Sequence, residues 1–558
     1  MDKLLPELQE MIFLKLHPVD RVACASVCRD WADLLAAQHL LKDVRFAILG
    51  SHARAASDLL KKSRRRFRNL HIHDADLSEF DAEFWIRVGE DLRDLQATEC
   101  RWSFEDLYSI LRHCKNLESL EFEGDSDSPD VALENSEDIS GELKLRHLDL
   151  KIPFASEALG RLLDRMPELV SLRLAHLPRL HTGNGSKFVY DVSGLLSARQ
   201  ELRTLEIAQT DVDDEAMMAL LNKFSGSLQE LRVPRADGLT YDTIDAVRRC
   251  KELRHLTLHW SSADRIDDKH LERVLSDCGE LQSLDVRFGP YCSSRSQKPK
   301  FLESIDRAKG LRHLSIDGRV GSEWLGILGR LSSLRSLNLS SIPDTIASYN
   351  GVAALRELRC LTLAESPTPE GFAILVQSLS RLEEFTLSCD HLTDGDTLNL
   401  RFLKNLRKLE LVGATQITDV TFHYGLACPA LEELLIWDSP LSDTGLASIA
   451  ILHTQLTRLS LYSCESVSDR GVRYFVEHEE SLRELALSSG ASLSKGILST
   501  LEFTALKLRR LTLDCARISK RAIAQFSLKR PEILISMSSR PGTFSGGILM
   551  KSSPKVRL

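Results

Sequence analysis

The feature of this sequence that most constrains its fold is a short leucine pattern that recurs along most of the chain. The pattern is Leu-x-x-Leu-x-Leu, with Ile, Val or Phe as substitutes, and its first copy starts at Phe67. About 18 copies follow one another, usually about 23 to 28 residues apart. Because one such unit is too short to bury its own apolar side, we expect neighbouring units to stack. Clear copies are Leu145–Leu150, Leu202–Ile207, Leu334–Leu339, Leu406–Leu411, Leu456–Leu461 and Leu508–Leu513.

This period and motif resemble leucine-rich repeats, in which each unit is one strand followed by a returning helix. The resemblance implies an α/β fold over residues 43–538, a solenoid with a curved parallel sheet on the concave side and helices on the convex side. One group of cysteines keeps the same place, three residues before the first leucine of a copy. Such regular placement predicts small buried packing residues rather than metal ligands or redox groups. They are Cys114, Cys250, Cys278 and Cys428.

Three of the segments between strands carry a helix-start signal. They are Thr418-Asp419, Ser442-Asp443 and Ser468-Asp469. A Ser or Thr hydroxyl can accept a hydrogen bond from the first free N–H groups of a helix, and a carboxylate is favoured at the positive end of the helix dipole. The pairs therefore predict that returning helices begin at these positions.

The opening segment, residues 5–31, has a different pattern from the repeats. Leu8, Ile12, Phe13 and Leu16 fall on one helical face, and Pro18 ends that helix or starts the next. A helical segment this small buries too little surface to be stable alone. We therefore expect it to dock against the repeats, against a partner, or against both.

The residues of this segment resemble an F-box, so the module at residues 1–42 and the repeats together resemble an F-box/leucine-rich-repeat protein. Arg21 departs from the family pattern, because many members carry Leu there. The resemblance rests on Leu5-Pro6, Glu7-Leu8, Ile12-Phe13, Leu16, Asp20, Val27-Cys28-Arg29 and Trp31. By the same resemblance, the residues that form or support an adaptor-binding surface are Leu5, Pro6, Leu8, Ile12, Phe13, Leu16, Val27 and Trp31.

F-box modules bind a Skp-type adaptor, which links them to a cullin scaffold and a RING subunit. The resemblance therefore implies the substrate-recognition subunit of an SCF-type (Skp, cullin, F-box) ubiquitin ligase, a role without bond chemistry of its own. Two alternatives remain open. One is a protein-interaction scaffold that assembles no ligase, and the other is a receptor of the same layout that depends on a small molecule or an inositol phosphate.

The residues that alternate with the strand leucines are expected on the concave face, because side chains alternate along a strand. Val412, Trp437 and Tyr462 occupy the same position in consecutive repeats, with Leu435 beside them. Large apolar groups in a row on an exposed sheet are typical of an interface, so we predict that these residues bind a protein substrate. A second predicted substrate-binding patch is polar and consists of His259, Arg287 and Asp317, with His255 and Asp285 near them.

Composition narrows the remaining possibilities. The net charge of −8 and pI of about 6.1 argue against nucleic-acid or membrane binding by the whole molecule. The 12 cysteines are expected to be free thiols in a reducing compartment, cytoplasmic or nuclear or both. We expect no catalytic residues, no metal site and no cofactor, because none of the usual active-site motifs is present. Residues 539–558, rich in Ser, Gly and Pro, are expected to be a disordered tail.

Overall fold

The structure is a computed structural model of the 558-residue chain, and it divides into two compact units, residues 1–255 and residues 256–558. The tail predicted at 539–558 lies outside the described residues. Those that the structure describes are 4–16, 18–126, 141–151, 156–175, 179–181, 188–190, 192–197, 199–208, 212–236, 238–260, 268–288, 304–305, 307–317, 322–488, 493–494, 496–514, 518–530 and 533–537.

The first unit opens with a small helical module. Its helices are α1 (Pro6–Lys15), α2 (Pro18–Ala25), α3 (Arg29–Leu34) and α4 (Gln38–Leu41). Pro6 suits the first position of α1, because its fixed φ fits a helix and a first-turn residue needs no N–H partner. The core of the module consists of Phe13, Leu35 and Leu40, and the ring of Trp31 meets that of Phe13 edge-on at 5.3 Å.

The rest of the first unit is a strand–helix repeat. Each strand of its sheet pairs in parallel with the next, and β6 pairs directly with β9 because β7 and β8 form a separate antiparallel hairpin. The strands are β1 (Arg45–Leu49), β2 (Asn69–His73), β3 (Asp94–Trp102), β4 (Ser119–Ser126), β5 (His147–Lys151), β6 (Ser171–Leu174), β7 (Arg179–His181), β8 (Phe188–Tyr190), β9 (Thr204–Ile207) and β10 (Glu230–Val233). The helices are α5 (Ala53–Lys62), α6 (Ala82–Gly89), α7 (Phe104–His113), α8 (Ser156–Asp164), α9 (Ser193–Ser197), α10 (Asp214–Phe224) and α11 (Tyr241–Val247).

The second unit repeats the same design. From β12 to β22 each strand pairs in parallel with its successor. The strands are β11 (His255–Trp260, which starts at the last residue of the first unit), β12 (Ser283–Phe288), β13 (His313–Asp317), β14 (Ser336–Leu339), β15 (Cys360–Leu363), β16 (Glu384–Ser388), β17 (Lys408–Val412), β18 (Glu433–Trp437), β19 (Arg458–Tyr462), β20 (Glu484–Ser488), β21 (Arg510–Asp514) and β22 (Leu534–Met537). The helices are α12 (Asp268–Asp277), α13 (Ser322–Leu328), α14 (Ile346–Ala353), α15 (Pro369–Ser378), α16 (Asp394–Thr397), α17 (Asp443–Leu452), α18 (Asp469–His478), α19 (Gly496–Phe503) and α20 (Lys520–Lys529).

The motif leucines of neighbouring strands lie in register. Leu409 pairs with Leu434, Leu434 with Leu459, and Leu459 with Leu485, and all four are at most 1% exposed. Burying one leucine side chain contributes about 1.5–3 kcal/mol, so the column forms a continuous core that no single repeat has by itself. The predicted α/β leucine-rich-repeat fold is confirmed. The opposite side of each sheet, which carries the residues that alternate with these leucines, is called the open face below.

The structure has the three predicted helix starts. Ser442 and Ser468 accept hydrogen bonds from the N–H groups of Thr444 and Arg470, at the starts of α17 and α18. At the third start, Thr418 accepts from the N–H of Val420 in the same way, and a π-helix follows at Thr421–Gly425.

The aspartate carboxylate at each of these helix starts also binds the next repeat. Asp419 accepts the backbone N–H of Ser442 (2.8 Å), Asp443 that of Ser468 (2.8 Å), and Asp469 that of Ser494 (2.9 Å). Each Asp therefore fixes the residue that starts the following helix, which links neighbouring repeats by hydrogen bonds as well as by leucine packing.

The cysteine prediction is confirmed. Cys114, Cys250, Cys278 and Cys428 are buried, at most 1% exposed. Burial raises the pKa of the Cys114 and Cys428 thiols to about 12, which makes both groups poor nucleophiles. Within the described part of the chain, no helix combines the length and the apolar character that crossing a membrane requires.

Candidate functional site

The helical module presents a stripe of exposed apolar side chains on α1 and on the residues just before it. Leu5 is 67% exposed, Leu8 45% and Ile12 39%. At 100° per residue these three lie within about 60° of one another around the helix. Val27, which follows α2, is also well exposed. Apolar groups held in water on so small a module are typical of a surface that a partner covers.

Two further residues of this stripe were missed by the sequence analysis. Leu4 and Met11 are exposed, and Met11 lies about 60° from Leu8 around α1, whereas Leu4 precedes the helix. Met11 follows Leu8 by three residues, so for Met11 helical spacing alone contained the signal. We call the five residues Leu4, Leu5, Leu8, Met11 and Ile12 the apolar stripe.

Other residues of the predicted adaptor-binding set lie differently. Phe13 is fully buried and packs within the module, so it can support the predicted adaptor-binding surface from inside but cannot form part of it. Leu16 and Trp31 are partly buried against the same core, and Pro6 is exposed at the start of α1. The helical face predicted from the sequence therefore combines exposed residues, such as Ile12, with residues that form the core of the module, such as Phe13.

Arg21 ties α2 to the end of the helical module, just before β1. It is 3% exposed, its guanidinium donates a hydrogen bond to the carbonyl of Leu40, and it forms an ion pair with Asp43. The hydrogen bond from Arg21 holds the pKa of Asp43 below its ordinary value. Gln38 adds a contact through its side-chain amide, which donates to Asp91 in the next turn of the repeats (2.5 Å). The departure from the family pattern at Arg21 thus has a structural role at the junction.

The predicted apolar substrate patch lies on the open face of the second unit. Val412, Leu435, Trp437 and Tyr462 are half-buried, and we call them the aromatic patch. Trp437 and Tyr462 are register partners, and their ring centroids are 5.8 Å apart. Leu435 lies one strand from Glu410 on one side and from Ser460 on the other. The structure brings the four residues together on consecutive strands, as the repeat spacing predicts.

The hydroxyl of Tyr462 is held within the open face. It hydrogen bonds with Ser460, and it lies close enough to Glu410 for that carboxylate to act on it. Burial raises the pKa of the Tyr462 hydroxyl and the charge of Glu410 raises it further, whereas the hydrogen bond with Ser460 lowers it. Glu410 lies on β17, two strands from Tyr462, and is the register partner of Leu435 on β18.

The predicted polar patch is organised around Asp285. His259 Nε2 lies 3.1 Å from Asp285 Oδ2, and Arg287 Nε lies 3.2 Å from Asp285 Oδ1. Burial favours the neutral form of Asp285, but the nearby His259 and the charge of Arg287 lower its pKa to about 2. Asp317 is the register partner of Arg287. The charges of this patch are thus largely satisfied by one another.

The open face of the first unit forms a cavity of about 550 Å³, which the sequence analysis did not single out. Arg173 bridges Asp149 (3.0 Å) and Glu206 (2.7 Å) across neighbouring strands. Beside the cavity, Lys151 bridges Glu121 (2.7 Å) and Glu123 (2.8 Å). Lys151 and Arg173 thus each have two carboxylate partners, and Arg232, which also lines the cavity, pairs with Glu230.

Comparison with known proteins identifies the helical module. Residues 1–43 match the model of the F-box domain. The chain is 26% identical over 354 residues to a protein of Oryza sativa subsp. japonica named as a transport inhibitor response 1-like protein, which covers 62% of this chain and 58% of the relative. It is 24% identical over 442 residues to the GRR1-like protein 1 of Arabidopsis thaliana, which covers 72% of this chain and 69% of the relative. The first of these matches thus spans less than two thirds of the relative's length.

The solved structures that match are more distant in sequence. A yeast complex of Rad7 and Elc1 includes a chain that is 18% identical, with a TM-score of 0.43, over 60% of this chain and 92% of that one. A leucine-rich-repeat protein of Leptospira interrogans is 14% identical, with a TM-score of 0.31, over 88% of this chain and 99% of that one.

Proposed function

We propose that this protein is the substrate-recognition subunit of an SCF-type ubiquitin ligase. In this role the F-box binds a Skp-type adaptor, the adaptor links it to cullin and RING subunits, and the repeats hold the target protein. The observation that carries the proposal is the F-box at residues 1–43 with the apolar stripe exposed on it.

The apolar stripe supports the adaptor-binding half of the proposal. A partner that buries five apolar side chains gains their transfer free energy, roughly 25 cal/mol per Å² of apolar area covered. The helices below the stripe are held by the Phe13 core, so docking need not order the module first.

The repeats support the target-binding half. Their open face carries the aromatic patch, and Trp and Tyr are the residues that most often dominate the energy of protein interfaces. The chain would then act by position. Holding a target beside an activated ubiquitin replaces an encounter in solution with a nearly intramolecular one, and the chain itself makes and breaks no bonds.

Adaptor binding is the direct test. A variant with Leu8→Ala and Ile12→Ala removes two exposed members of the apolar stripe at little cost in stability, because neither side chain is in the core. We expect the unmutated protein to retain a purified Skp-type adaptor and the double variant to lose at least tenfold in affinity.

The matched control is Leu59→Ala, which removes an apolar side chain that is 59% exposed on α5, outside the helical module. This variant should bind the adaptor as the unmutated protein does. If the unmutated protein fails to retain the adaptor, the scaffold alternative replaces the proposal.

The ion pairs of the open face argue against an inositol-phosphate receptor. Such a ligand needs several uncompensated basic groups in one place. Lys151 and Arg173 each lie between two carboxylates, and Arg458 likewise contacts Glu433 (2.7 Å) and Glu484 (2.8 Å). A thermal shift on adding inositol hexakisphosphate would contradict this argument.

A further inference from the structure

The open face around the aromatic patch is acidic. On β16 to β20, and in the two residues that follow each of these strands, six acidic residues stand against two basic ones. Arg510 of β21 adds a third base, which pairs with Glu484 (3.1 Å). The acidic residues are Glu384, Glu410, Glu433, Glu484, Asp390 and Asp438, and the basic residues are Lys408 and Arg458.

Both bases on these strands are already held by carboxylates. Burial disfavours the charged form of Lys408, but its ion pair with Glu410 (2.7 Å) and the nearby charges of Glu384 and Glu433 raise its pKa above the ordinary value. Arg458 lies between Glu433 and Glu484. Burial disfavours its charged form, but the two carboxylates raise its pKa above the ordinary value. These bases cannot recruit an acidic ligand without giving up their present partners.

The carboxylates also reach the aromatic patch itself. Glu410 acts on the hydroxyl of Tyr462 and is the register partner of Leu435. At the other end of the strands, Asp438 directly follows Trp437 and is exposed, with a left-handed φ of 61° that turns the chain away from β18. Asp390 is exposed beside Gly413, the residue after Val412, whose φ of 66° is also left-handed. Carboxylates therefore flank the patch along its strands.

We propose that the aromatic patch binds an extended segment of a partner protein in which an apolar or aromatic side chain is flanked by lysine or arginine. The apolar side chain would pack on Val412, Leu435 and the exposed faces of the Trp437 and Tyr462 rings. The flanking bases would meet Glu410 on one side and the Asp390 and Asp438 carboxylates on the other. An arginine or lysine beside the rings would also gain cation–π attraction from Trp437 or Tyr462.

The inference rests on the proposed function only in taking this segment to be part of the ligase target. It is tested with short synthetic peptides that carry a central Phe or Leu flanked on both sides by Lys, Glu or Gln. Binding to the full-length protein is measured by fluorescence anisotropy at about 0.05 M and about 0.5 M salt. We expect the Lys-flanked peptides to bind best, the Glu-flanked peptides worst, and the difference to shrink at the higher salt.

Variants connect that preference to the patch. Trp437→Ala should weaken binding of the Lys-flanked peptide about 30-fold, as for an interface hot spot. Glu410→Gln should weaken it about threefold and leave the Gln-flanked peptide unchanged. The control is Leu528→Ala, which removes an apolar side chain that is 84% exposed outside the patch, and it should change neither.

Three results would each overturn the inference: equal or tighter binding of the Glu-flanked peptides, binding that survives Trp437→Ala, or no binding of any peptide by the unmutated protein. Adaptor binding by the same preparations separates this failure from failure of the proposed function. If the adaptor is retained while the peptide preference is absent, the receptor role stands and the basic-apolar target class does not.

Discussion

The sharpest prediction for the stability of the array concerns Glu479, an acidic side chain that the fold buries. It directly follows α18 and is 3% exposed. Its Oε1 accepts the backbone N–H of Ser481 (3.1 Å), and its Oε2 is buried without a partner among the described residues. Burial, helped by the charge of Glu480, raises the pKa of Glu479 to about 7, against opposing effects of the Ser481 hydrogen bond and Lys507.

The sign of the pH dependence follows from this raised pKa. Between about pH 4.5 and pH 7 the folded repeat keeps the Glu479 proton while the unfolded chain loses it. The free energy of unfolding is therefore greatest below about pH 4.5 as far as this group is concerned, falls as pH rises toward 7, and levels off above it. The full shift corresponds to about 3 kcal/mol. Because solvent screens part of the effect of burial, we expect about 2 kcal/mol.

Glu479→Gln tests this prediction, because glutamine keeps the acceptor for Ser481 and carries no charge at any pH. Near pH 5 the variant and the unmutated protein should have similar stability, and near pH 8 the variant should be more stable by about 2 kcal/mol. Hydrogen exchange in α18 and β20 is the suitable measurement, since repeat arrays open locally and not in one transition.

The control is Glu477→Gln, which removes an equal charge from an exposed position on the same helix. Its exchange rates should follow those of the unmutated protein across the pH range. If Glu479→Gln and the unmutated protein keep a constant difference from pH 5 to pH 8, the argument from burial is wrong.

Three further predictions follow from particular contacts. Phe13→Ala should destabilise the F-box by about 3–5 kcal/mol, visible as faster proteolysis of residues 1–42, whereas Ile12→Ala should leave proteolysis unchanged. Asp443→Ala removes the acceptor of the Ser468 N–H (2.8 Å) and hydroxyl (2.6 Å), and should cost about 2 kcal/mol, measured as faster hydrogen exchange at the start of α18. Arg530 donates hydrogen bonds to the carbonyls of Leu501 (2.8 Å), Glu502 (3.0 Å) and Ala505 (2.9 Å). Arg530→Ala should therefore lower the thermal midpoint of unfolding. Arg530→Lys should restore little of that loss, because lysine lacks the forked guanidinium that makes the three bonds.

The candidate site was predictable where it depends on repeat spacing. Val412, Trp437 and Tyr462 were placed side by side from the sequence because each occupies the same position in its repeat, and the parallel register preserves that position. The acidic surroundings were not predicted. They depend on which charges pair, as Lys408 does with Glu410 along β17 and Arg458 does with Glu433 and Glu484 on the neighbouring strands, and only side-chain geometry decides such pairs.

In the F-box, too, the sequence predicted some features and not others. Residue types and spacing identified the module, but helical periodicity placed Ile12 and Phe13 on one face, although one is 39% exposed and the other is fully buried. The side chains of neighbouring residues on a helix point about 100° apart, and packing against residues of α3 and α4 decides which of the two is buried. Arg21 is a similar case, since its carbonyl and carboxylate partners are about 20 residues away.

The sequence by itself determined the repeat, the alternation of buried leucines with open-face residues, the buried cysteines and the F-box. The first three depend on positions that recur from repeat to repeat, and the F-box depends on residue types at a fixed spacing, so a local pattern was enough to predict each of them. Only the tertiary structure decided that Phe13 lies inside, that Asp443 anchors the next helix, and that Glu479 is buried with a raised pKa. Those outcomes depend on contacts between residues that the chain brings together only after its repeats have stacked, and no local pattern encodes such contacts.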